Sequence, residues 1–166
     1  LVESNTDCVM HNLITWNKKR AYGVQHNYLF TREECAFFVK GDPRRPKRFV
    51  VPLLDKLRGY DGYTVDGKKT KAKSEFLRRT NVWSDVTEIF RGKTHVAQKP
   101  AKLFEIPILT HTLPSEWIVD IFSGSGASAK AAIATGRRFA IVEKDPDTFE
   151  KTVTALNLLD AQETDG

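Results

Sequence analysis

The chain has 166 residues, a net charge of +5 at pH 7, and 40% hydrophobic and 28% charged residues. These values are ordinary for a globular protein of one domain. No apolar run approaches the ~20 residues that a membrane-spanning helix needs, so we expect no membrane partner. Cys8 and Cys35 are isolated and the four histidines are scattered, which argues against a metal site and favours a reduced, cytoplasmic setting.

Two strands are predicted before residue 42. Residues 13–16 (Leu-Ile-Thr-Trp) are rich in β-branched and aromatic side chains, as strands usually are. Residues 35–40 (Cys-Ala-Phe-Phe-Val-Lys) form an apolar run, which predicts a strand that is buried on both faces. A Gly-Asp-Pro sequence then ends this strand.

A basic segment extends from Lys40 to Lys73. It contains 11 Lys and Arg residues against 4 Asp and Glu, a net charge of +7 that leaves −2 for the rest of the chain. Such a segment on a nearly neutral body favours a polyanionic partner, above all nucleic acid. The alternative is a solvated loop whose charge only aids solubility. Residues 42–92 as a whole are polar and turn-rich, which predicts a recognition insert that Trp83 and Phe90 anchor to the body.

Regular elements are predicted after Pro100. A helix over residues 102–110 is expected to be interrupted by Pro107. Alternating strands and helices follow, which indicates a βαβ unit with a parallel sheet. These strands are 118–122 and 138–142, and the helices are 127–135 and 147–159. The last helix is expected to bury four apolar side chains at spacings of three and four, namely Phe149, Val153, Leu156 and Leu159.

The strand at 118–122 leads into the most informative part of the chain, the glycine loop Asp120–Gly126. Glycines at 124 and 126 let the backbone pass close to a ligand, and the helix that follows offers unpaired N–H groups. The next strand ends at Glu143, where α/β folds place the acid that binds ribose hydroxyls. This pattern predicts a site for an adenosine-bearing cofactor.

The glycine spacing alone does not identify the cofactor. Residues 124–129 (Gly-Ser-Gly-Ala-Ser-Ala) also fit the loose GxGxxA pattern of nicotinamide-dependent enzymes. Asp120 argues against that alternative, because a carboxylate ahead of the loop would repel a pyrophosphate, whereas it suits a cationic amino-acid group. Taken singly, Asp120 could equally be a helix-capping carboxylate and Glu143 an ordinary acid at a strand end.

Three motifs together give the chain a family resemblance. They are H-x-x-Q-K-P at 95–100, D-x-F-x-G-x-G at 120–126 and G-R-R-x-x-x-x-E at 136–143. In this combination the chain resembles the amino-group DNA methyltransferases, which methylate adenine N6 or cytosine N4 with S-adenosyl-L-methionine. The resemblance covers residues 81–150 and, less closely, 12–41, and the order of its parts is that of the permuted β group.

The resemblance implies a Rossmann-like α/β methyltransferase fold, partial or permuted, with a mainly parallel sheet and a loop-rich basic insert. Residues 1–41 would be late strands of the sheet, 42–92 the target-recognition insert and 93–166 the cofactor-binding βαβ half. Double-stranded DNA would be the partner, bound mostly through its phosphates. The candidates for this contact are Arg44, Arg45, Lys47, Arg48, Lys68, Lys69, Lys71 and Lys73.

The same resemblance implies roles for residues of the cofactor half. Asp120 would bind the methionine ammonium, directly or through water, and Glu143 would accept hydrogen bonds from both ribose hydroxyls. Lys144 would line the adenine pocket, whereas His95 could equally cap a helix. The residues expected to wrap the cofactor are Phe122, Ser123, Gly124, Ser125 and Gly126, and those at its methionine end are Gln98, Lys99 and Pro100.

One part of the family pattern is missing from this sequence. In the family, a [DNS]-P-P-[YFW] tetrapeptide binds the target amino group and stacks on the flipped base. The chain has seven prolines and no two of them are adjacent. We therefore assign no catalytic residue and expect this chain alone to be inactive. In the β group the motif precedes the strand of Trp16, so it would lie upstream of Leu1.

Three explanations of the missing motif stay open. The one we expect is that the chain is a piece of a site-specific DNA methyltransferase, of a restriction–modification system or an orphan or phage enzyme. The second is one half of a split enzyme whose complementing fragment brings the catalytic loop. The third is a non-catalytic module that binds S-adenosyl-L-methionine and DNA. Adenine and cytosine both stay open as targets, and so does a homodimer.

Overall fold

The computed structural model describes residues 7–23, 26, 28–42, 62–63, 69–70, 79–88 and 98–164, and these form strands and helices in an α/β order. The strands are β1 (Cys8–Tyr22), β2 (Phe30–Lys40), β3 (Gly62–Tyr63), β4 (Lys69–Thr70), β5 (Val82–Trp83), β6 (Trp117–Asp120) and β7 (Arg138–Ile141). The helices are α1 (Ala101–His111), α2 (Ala127–Ala134) and α3 (Pro146–Thr164). Most of the predicted insert 42–92, including its predicted anchor Phe90, lies outside the described residues.

The largest described sheet has the strand order β2–β1–β5. β1 is antiparallel to β2 along most of its length, and it is parallel to β5 at Thr15 and Trp16. Both β1 and β2 are longer than the strands predicted at 13–16 and 35–40. Their polar ends continue the strands because backbone ladder hydrogen bonds hold them, whatever the polarity of the side chains.

The prediction that the second strand is buried on both faces is wrong. The side chains of β2 are exposed or half-buried, and Cys35 and Ala36 are exposed. In the described sheet β2 is an edge strand with β1 on one side only. An apolar run is buried only where other elements cover both of its faces, and the run itself does not encode those neighbours.

The hydrophobic core lies between this sheet and α1. Trp16, Trp83, Val86 and Ile106 form it, with exposed fractions from 2% to 7%. The Trp16 indole N–H donates to the carbonyl oxygen of Val86 at 2.8 Å, so one core side chain ties β1 to the segment after β5. The prediction that Trp83 is an anchor is confirmed.

Replacing Trp16 by Phe tests the contribution of this indole N–H. The variant keeps an aromatic ring in the core but leaves the Val86 carbonyl oxygen without its donor, so we expect the free energy of unfolding to fall by about 1–3 kcal/mol. Trp117→Phe is the control, because Trp117 is 56% exposed and such surface substitutions usually change stability by at most about 0.5 kcal/mol. Urea unfolding measures both variants, and equal losses would contradict the role of the hydrogen bond.

α1 runs without a break through Pro107, where the sequence predicted an interruption. Around the proline, α1 buries Ile106, Ile108 and Thr110. The free energy gained by packing this face exceeds the cost of the backbone hydrogen bond that Pro107 cannot make. The hydroxyl of Thr110 also donates to the Ile106 carbonyl oxygen at 2.7 Å. Tertiary packing therefore decides the course of this helix.

The second described sheet carries the glycine loop. β6 and β7 pair in parallel, from Trp117 opposite Arg138 to Asp120 opposite Ile141, and α2 packs against both strands and against α1. The predicted βαβ unit is confirmed, with β6, α2 and β7 ending within two residues of the predicted bounds. None of the helices in the described part of the chain combines the length and the apolar character that a bilayer crossing demands.

The buried face of α3 differs from the predicted one. Leu156 is 5% exposed, as expected, but Phe149 is 39% exposed, and the buried residue one turn before Leu156 is Thr152. The prediction that Phe149 is buried is wrong because Thr152, a polar residue, makes the contact with the glycine loop that positions the helix. Val153 is half-buried, and the side chain of Leu159 lies outside the described residues.

Candidate cofactor site

The glycine loop leaves the carboxyl end of β6 and leads into α2, as predicted, and Asp120 fixes its course. Oδ1 of Asp120 accepts the backbone N–H of Phe122 at 3.0 Å, and Oδ2 accepts the hydroxyl of Ser128 at 2.5 Å. The second contact ties the carboxylate to the first turn of α2. Each oxygen has a further lone pair, so Asp120 can still accept a cationic donor, directly or through water.

The two glycines of the loop are needed for different reasons. Gly124 has a φ of +50°, and a Cβ built on it would meet nothing within 4 Å. Gly126, the N-cap of α2, has a φ of +70°, and its Cβ would lie 2.6 Å from Cγ2 of Thr152. Both positions have the left-handed backbone that glycine adopts most readily. Gly124 therefore borders open space, whereas Gly126 allows α3 to pack closely.

Glu143 lies beside the glycine loop, although 19 residues separate it from Gly124. One carboxylate oxygen accepts the backbone N–H of Asp145 at 3.1 Å, and the other accepts the backbone N–H of Gly124 at 2.8 Å. These two bonds, first that from Asp145 and then that from Gly124, lower the pKa of Glu143. The carboxylate is therefore ionised and fixed in position, and each oxygen keeps a lone pair for a ligand hydroxyl.

The lowered pKa of Glu143 predicts how the loop responds to acid. A carboxyl group with a lower pKa in the folded state stabilises that state above its unfolded pKa and loses this contribution as the pH falls through the folded pKa. We expect the Glu143 carboxyl carbon to titrate in NMR spectra at a lower pH than an ordinary glutamate, because its pKa is lowered. The Gly124 amide should follow the same titration. A Glu143 midpoint at or above that of an ordinary glutamate would contradict these hydrogen bonds.

The open side of the loop suits an adenosine-bearing group. Beside Gly124, Ser123 is buried, and its hydroxyl makes no hydrogen bond within the described part of the chain. Phe122 is 84% exposed, so an aromatic ring is available to cover a ligand. An unused hydroxyl, an ionised carboxylate and space in front of a glycine are what a ribose and an amino-acid group require.

Two residues that support the loop were missed by sequence reasoning. Ser128 binds the Asp120 carboxylate, and the hydroxyl of Thr152 donates to the Gly124 carbonyl oxygen at 2.8 Å. Both are 3% exposed. A usable signal for Ser128 is a single hydroxyl in the alanine-rich start of α2. For Thr152 it is a polar residue four positions before Leu156, on the buried stripe of α3.

The structure places the residues expected at the methionine end next to the larger sheet. Pro100 is buried as the N-cap of α1, and Gln98 is half-buried. The ammonium of Lys99 lies 2.5 Å from Glu33 Oε2 and 5.9 Å from the centre of the Trp16 ring. The described contacts of Lys99 are thus with β1 and β2 and not with the glycine loop. Lys144 is exposed beside Glu143, and His95 lies outside the described residues.

The segment 98–100 and the glycine loop each lead into one of two helices that pack together. Thr112, directly after α1, accepts two hydrogen bonds from Arg137, which follows α2, and the two helices pack against each other. The C-terminal ends of α1 and α2 therefore lie close together. Residues 98–100 precede α1, and the glycine loop precedes α2.

The basic residues predicted to contact DNA are almost all outside the described residues. Lys69 is the exception: its backbone belongs to the short strand β4, which pairs with β3, and its side chain is not described. Those outside are Arg44, Arg45, Lys47, Arg48, Lys68, Lys71 and Lys73. The DNA contact therefore stays a prediction from the sequence.

Sequence comparison finds type II methyltransferases similar to this chain, in agreement with the family resemblance of its motifs. Type II methyltransferase M.Cfr9I of Citrobacter freundii is 28% identical over 151 residues, 91% of this chain and 44% of the relative. Type II methyltransferase M2.MboI of Moraxella bovis is 28% identical over 84% of this chain and 46% of the relative. The chain therefore spans about half the length of these curated relatives.

Structural comparison supports the fold class. The crystal structure of an M1.HpyAVI–SAM complex matches with a TM-score of 0.61 at 22% identity, over 92% of this chain and 64% of that one. At this identity the likeness shows the fold alone, and it confirms the predicted Rossmann-like α/β methyltransferase architecture. The sequence profile of the N6/N4 DNA methylases matches residues 1–154. Since this match runs through nearly the whole sequence, the chain belongs to the N6/N4 DNA methylase family.

Proposed function

We propose that this chain is part of a site-specific DNA methyltransferase. The enzyme transfers a methyl group from S-adenosyl-L-methionine to the exocyclic amino group of a flipped base, adenine N6 or cytosine N4. Membership of the N6/N4 DNA methylase family supports the reaction class. The relatives named above are type II methyltransferases, which favours a restriction–modification system, and a cytoplasmic location goes with that role.

The observation that carries this proposal is the Glu143 carboxylate, bound to the Gly124 N–H at 2.8 Å beside open space. Two ribose hydroxyls can donate to its remaining lone pairs. M1.HpyAVI, a neighbour in fold, was crystallised with SAM. The cofactor supplies a methyl group on a sulfonium, which is an electrophile. The chain's own residues bind and orient that group.

The family resemblance implies each proposed contact, and the charges of Asp120 and Lys99 suit the groups that they would bind. Asp120 binds the methionine ammonium, directly or through water, from the position that its bonds to Phe122 and Ser128 fix. Lys144 lines the adenine pocket. The positive charge of Lys99 suits the methionine carboxylate. The residues that wrap the cofactor are Phe122, Ser123, Gly124, Ser125 and Gly126, and Gln98 and Pro100 accompany Lys99 at the methionine end.

The proposal divides the chain into three parts. Residues 1–41 are late strands of the sheet, 42–92 the target-recognition insert and 93–166 the cofactor-binding half. The absence of adjacent prolines from the sequence supports a further element of the proposal. The tetrapeptide that binds the target base comes from outside these residues, in a longer chain or in a complementing fragment. The same observation favours the second candidate function, a non-catalytic module that binds the cofactor and DNA.

Methyl transfer separates the two candidates. The chain, expressed with the flanking sequence that its gene encodes, is incubated with tritiated S-adenosyl-L-methionine and DNA of varied sequence. The methyltransferase proposal expects label in DNA, in adenine or in cytosine after digestion. Cofactor binding by calorimetry without label in any DNA would instead support the non-catalytic module. A chain that binds no S-adenosyl compound would contradict both.

The basic segment predicts a salt dependence of DNA binding. Four lysines, 68, 69, 71 and 73, are replaced together by alanine. If each contacts a phosphate, the slope of log K against log salt should become less steep by about 3 to 4. A double variant, Lys102→Ala with Lys151→Ala, is the control, because both side chains are exposed outside the segment. An unchanged slope in the quadruple variant would contradict the proposed DNA contact.

A further inference from the structure

A cluster of three charged side chains connects the larger sheet to the start of α1. Glu33 on β2 accepts the ammonium of Lys99 at 2.5 Å on one carboxylate oxygen and that of Lys18 at 3.2 Å on the other. Lys18 belongs to β1, and Lys99 precedes α1 by two residues. A single carboxylate therefore joins three parts of the chain that are far apart in sequence.

The surroundings of the cluster hold it in one arrangement. The side chain of Lys18 is 11% exposed, and those of Lys99 and Glu33 are 33% and 37% exposed. The Lys99 ammonium also lies over the ring of Trp16, which the bond to the Val86 carbonyl oxygen fixes. Burial raises the pKa of Glu33, but hydrogen bonds and charges from Lys99 and Lys18 outweigh it and leave the pKa lowered. Glu33 is therefore an anion at neutral pH.

Lys99 and the glycine loop each precede one of two helices that pack against each other. α1 follows Lys99, α2 follows the loop, and the C-terminal ends of the two helices meet where Arg137 donates two hydrogen bonds to Thr112. An ammonium has three N–H donors, and the bond to Glu33 uses one of them. A free lysine side chain loses much conformational entropy when a ligand orders it. A lysine that the folded protein has already ordered binds the same ligand with a smaller loss.

We propose that Glu33 is a positioning residue, which holds the Lys99 ammonium where it can bind the carboxylate of the methionine part of the cofactor. Glu33 itself touches neither cofactor nor DNA. The inference rests on the proposed function, because it assigns a role to Glu33 at the same cofactor site. Without Glu33, the two ammonium groups repel each other. Lys99, the more exposed of the two, then turns toward solvent.

Calorimetry with two ligands tests this role. S-adenosylhomocysteine carries the amino-acid carboxylate, and methylthioadenosine has the same nucleoside without an amino-acid group. In Glu33→Gln we expect the affinity for S-adenosylhomocysteine to fall roughly tenfold, the effect of one weakened charge-assisted hydrogen bond. The affinity for methylthioadenosine should not change. Glu33→Asp keeps the charge on a shorter side chain, so it should recover part of the loss.

Glu34→Gln is the matched control. Glu34 is the next residue of β2 and points to the opposite face, where it binds Thr15 and Arg32. This variant should bind both ligands as the unmodified chain does. All variants are expressed with the natural flanking sequence, and thermal unfolding reports their folding.

Three results would overturn the role of Glu33 alone, provided that the unmodified chain binds S-adenosylhomocysteine. Equal weakening of both ligands in Glu33→Gln would mean a general structural effect. Unchanged affinities would mean no role in binding. Tighter binding of S-adenosylhomocysteine would mean that Glu33 competes with the ligand for Lys99. If the unmodified chain binds neither ligand, the proposed function is wrong, and the role of Glu33 falls with it.

Discussion

Replacing Glu143 by Gln should lower the affinity for S-adenosylhomocysteine by about 100-fold, the effect of two charge-assisted hydrogen bonds. The amide keeps one acceptor oxygen, whereas the carboxylate has two. One of those oxygens must still serve the N–H of Gly124 or of Asp145, and the amide NH2 then meets the other donor. Both proposed ribose contacts would then be lost or misaligned. Isothermal titration calorimetry at pH 7 measures the change.

The control for this prediction is Glu150→Gln. Glu150 is exposed on α3 and makes none of the loop contacts described above, and its replacement should leave the affinity unchanged. Circular dichroism should show that both variants are folded. An affinity of Glu143→Gln within about twofold of the unmodified chain would mean that Glu143 is only the strand-end acid that binds two backbone N–H groups.

Gly126→Ala should lower the free energy of unfolding by about 2–5 kcal/mol, because two effects add. An alanine with a φ of +70° is strained, and its Cβ would lie 2.6 Å from Cγ2 of Thr152. The matched control is Gly136→Ala. Gly136 has a φ of +69° with nothing within 4 Å of its Cβ position, so this variant should lose only the strain, about 1–2 kcal/mol. Equal losses in the two variants would mean that α3 does not pack on Gly126.

A double-mutant cycle with Thr152→Ser isolates the steric part of the Gly126 effect. Serine lacks the Cγ2 methyl but keeps the hydroxyl that binds the Gly124 carbonyl oxygen. We expect a favourable coupling of about 1–3 kcal/mol between Gly126→Ala and Thr152→Ser. Urea unfolding of the four proteins measures this coupling. A coupling near zero would mean that the loss of stability in Gly126→Ala comes from the backbone conformation alone.

Gly124→Ala should mainly weaken cofactor binding, whereas Gly126→Ala should mainly lower stability. Its φ of +50° makes alanine unfavourable, but the new methyl group would point into open space. The loss of stability should therefore be that of Gly136→Ala, while cofactor affinity falls because the methyl occupies the space in front of the loop. A Gly124→Ala variant with unchanged affinity would contradict the close approach of the cofactor to this residue.

The glycine loop could be predicted from sequence because its determinants are local. Asp120, the two glycines and the small side chains of α2 stand within a few residues, and only a few backbone paths connect a strand end to a helix in that distance. Glu143 could be placed beside the loop for a similar reason, since parallel neighbouring strands end at the same edge of a sheet. The structure confirms that adjacency through the bond to the Gly124 N–H.

The errors arose where partners distant in sequence decide the outcome. β2 has an apolar run, but its burial depends on which elements cover the sheet. Pro107 predicts a break, but packing of Ile106 and Ile108 keeps α1 continuous. Phe149 fits the apolar stripe of α3, yet the contacts of Thr152 with Gly124 and Gly126 decide which face of the helix is buried.

The contact between Glu33 and Lys99 also depends on residues that are distant in sequence. Lys99 could be chosen as a cofactor contact from its place in the QKP motif. Glu33 could not be chosen, because nothing in the apolar and acidic sequence of β2 indicates that this carboxylate meets a lysine 66 residues later, at 2.5 Å. Only the pairing of β1 with β2 and the packing of α1 bring the two together.

The central claim is that the glycine loop and Glu143 form the cofactor site, and amide NMR tests it most directly. Selective labelling of glycine with nitrogen-15 gives one signal for each of the ten glycines in this sequence. Titration with S-adenosylhomocysteine should shift the signals of Gly124 and Gly126 until they saturate. The signal of Gly41, at the end of β2, should stay in place. The claim would be contradicted if the Gly41 signal shifted to saturation while those of Gly124 and Gly126 stayed in place. It would also be contradicted if no glycine signal shifted.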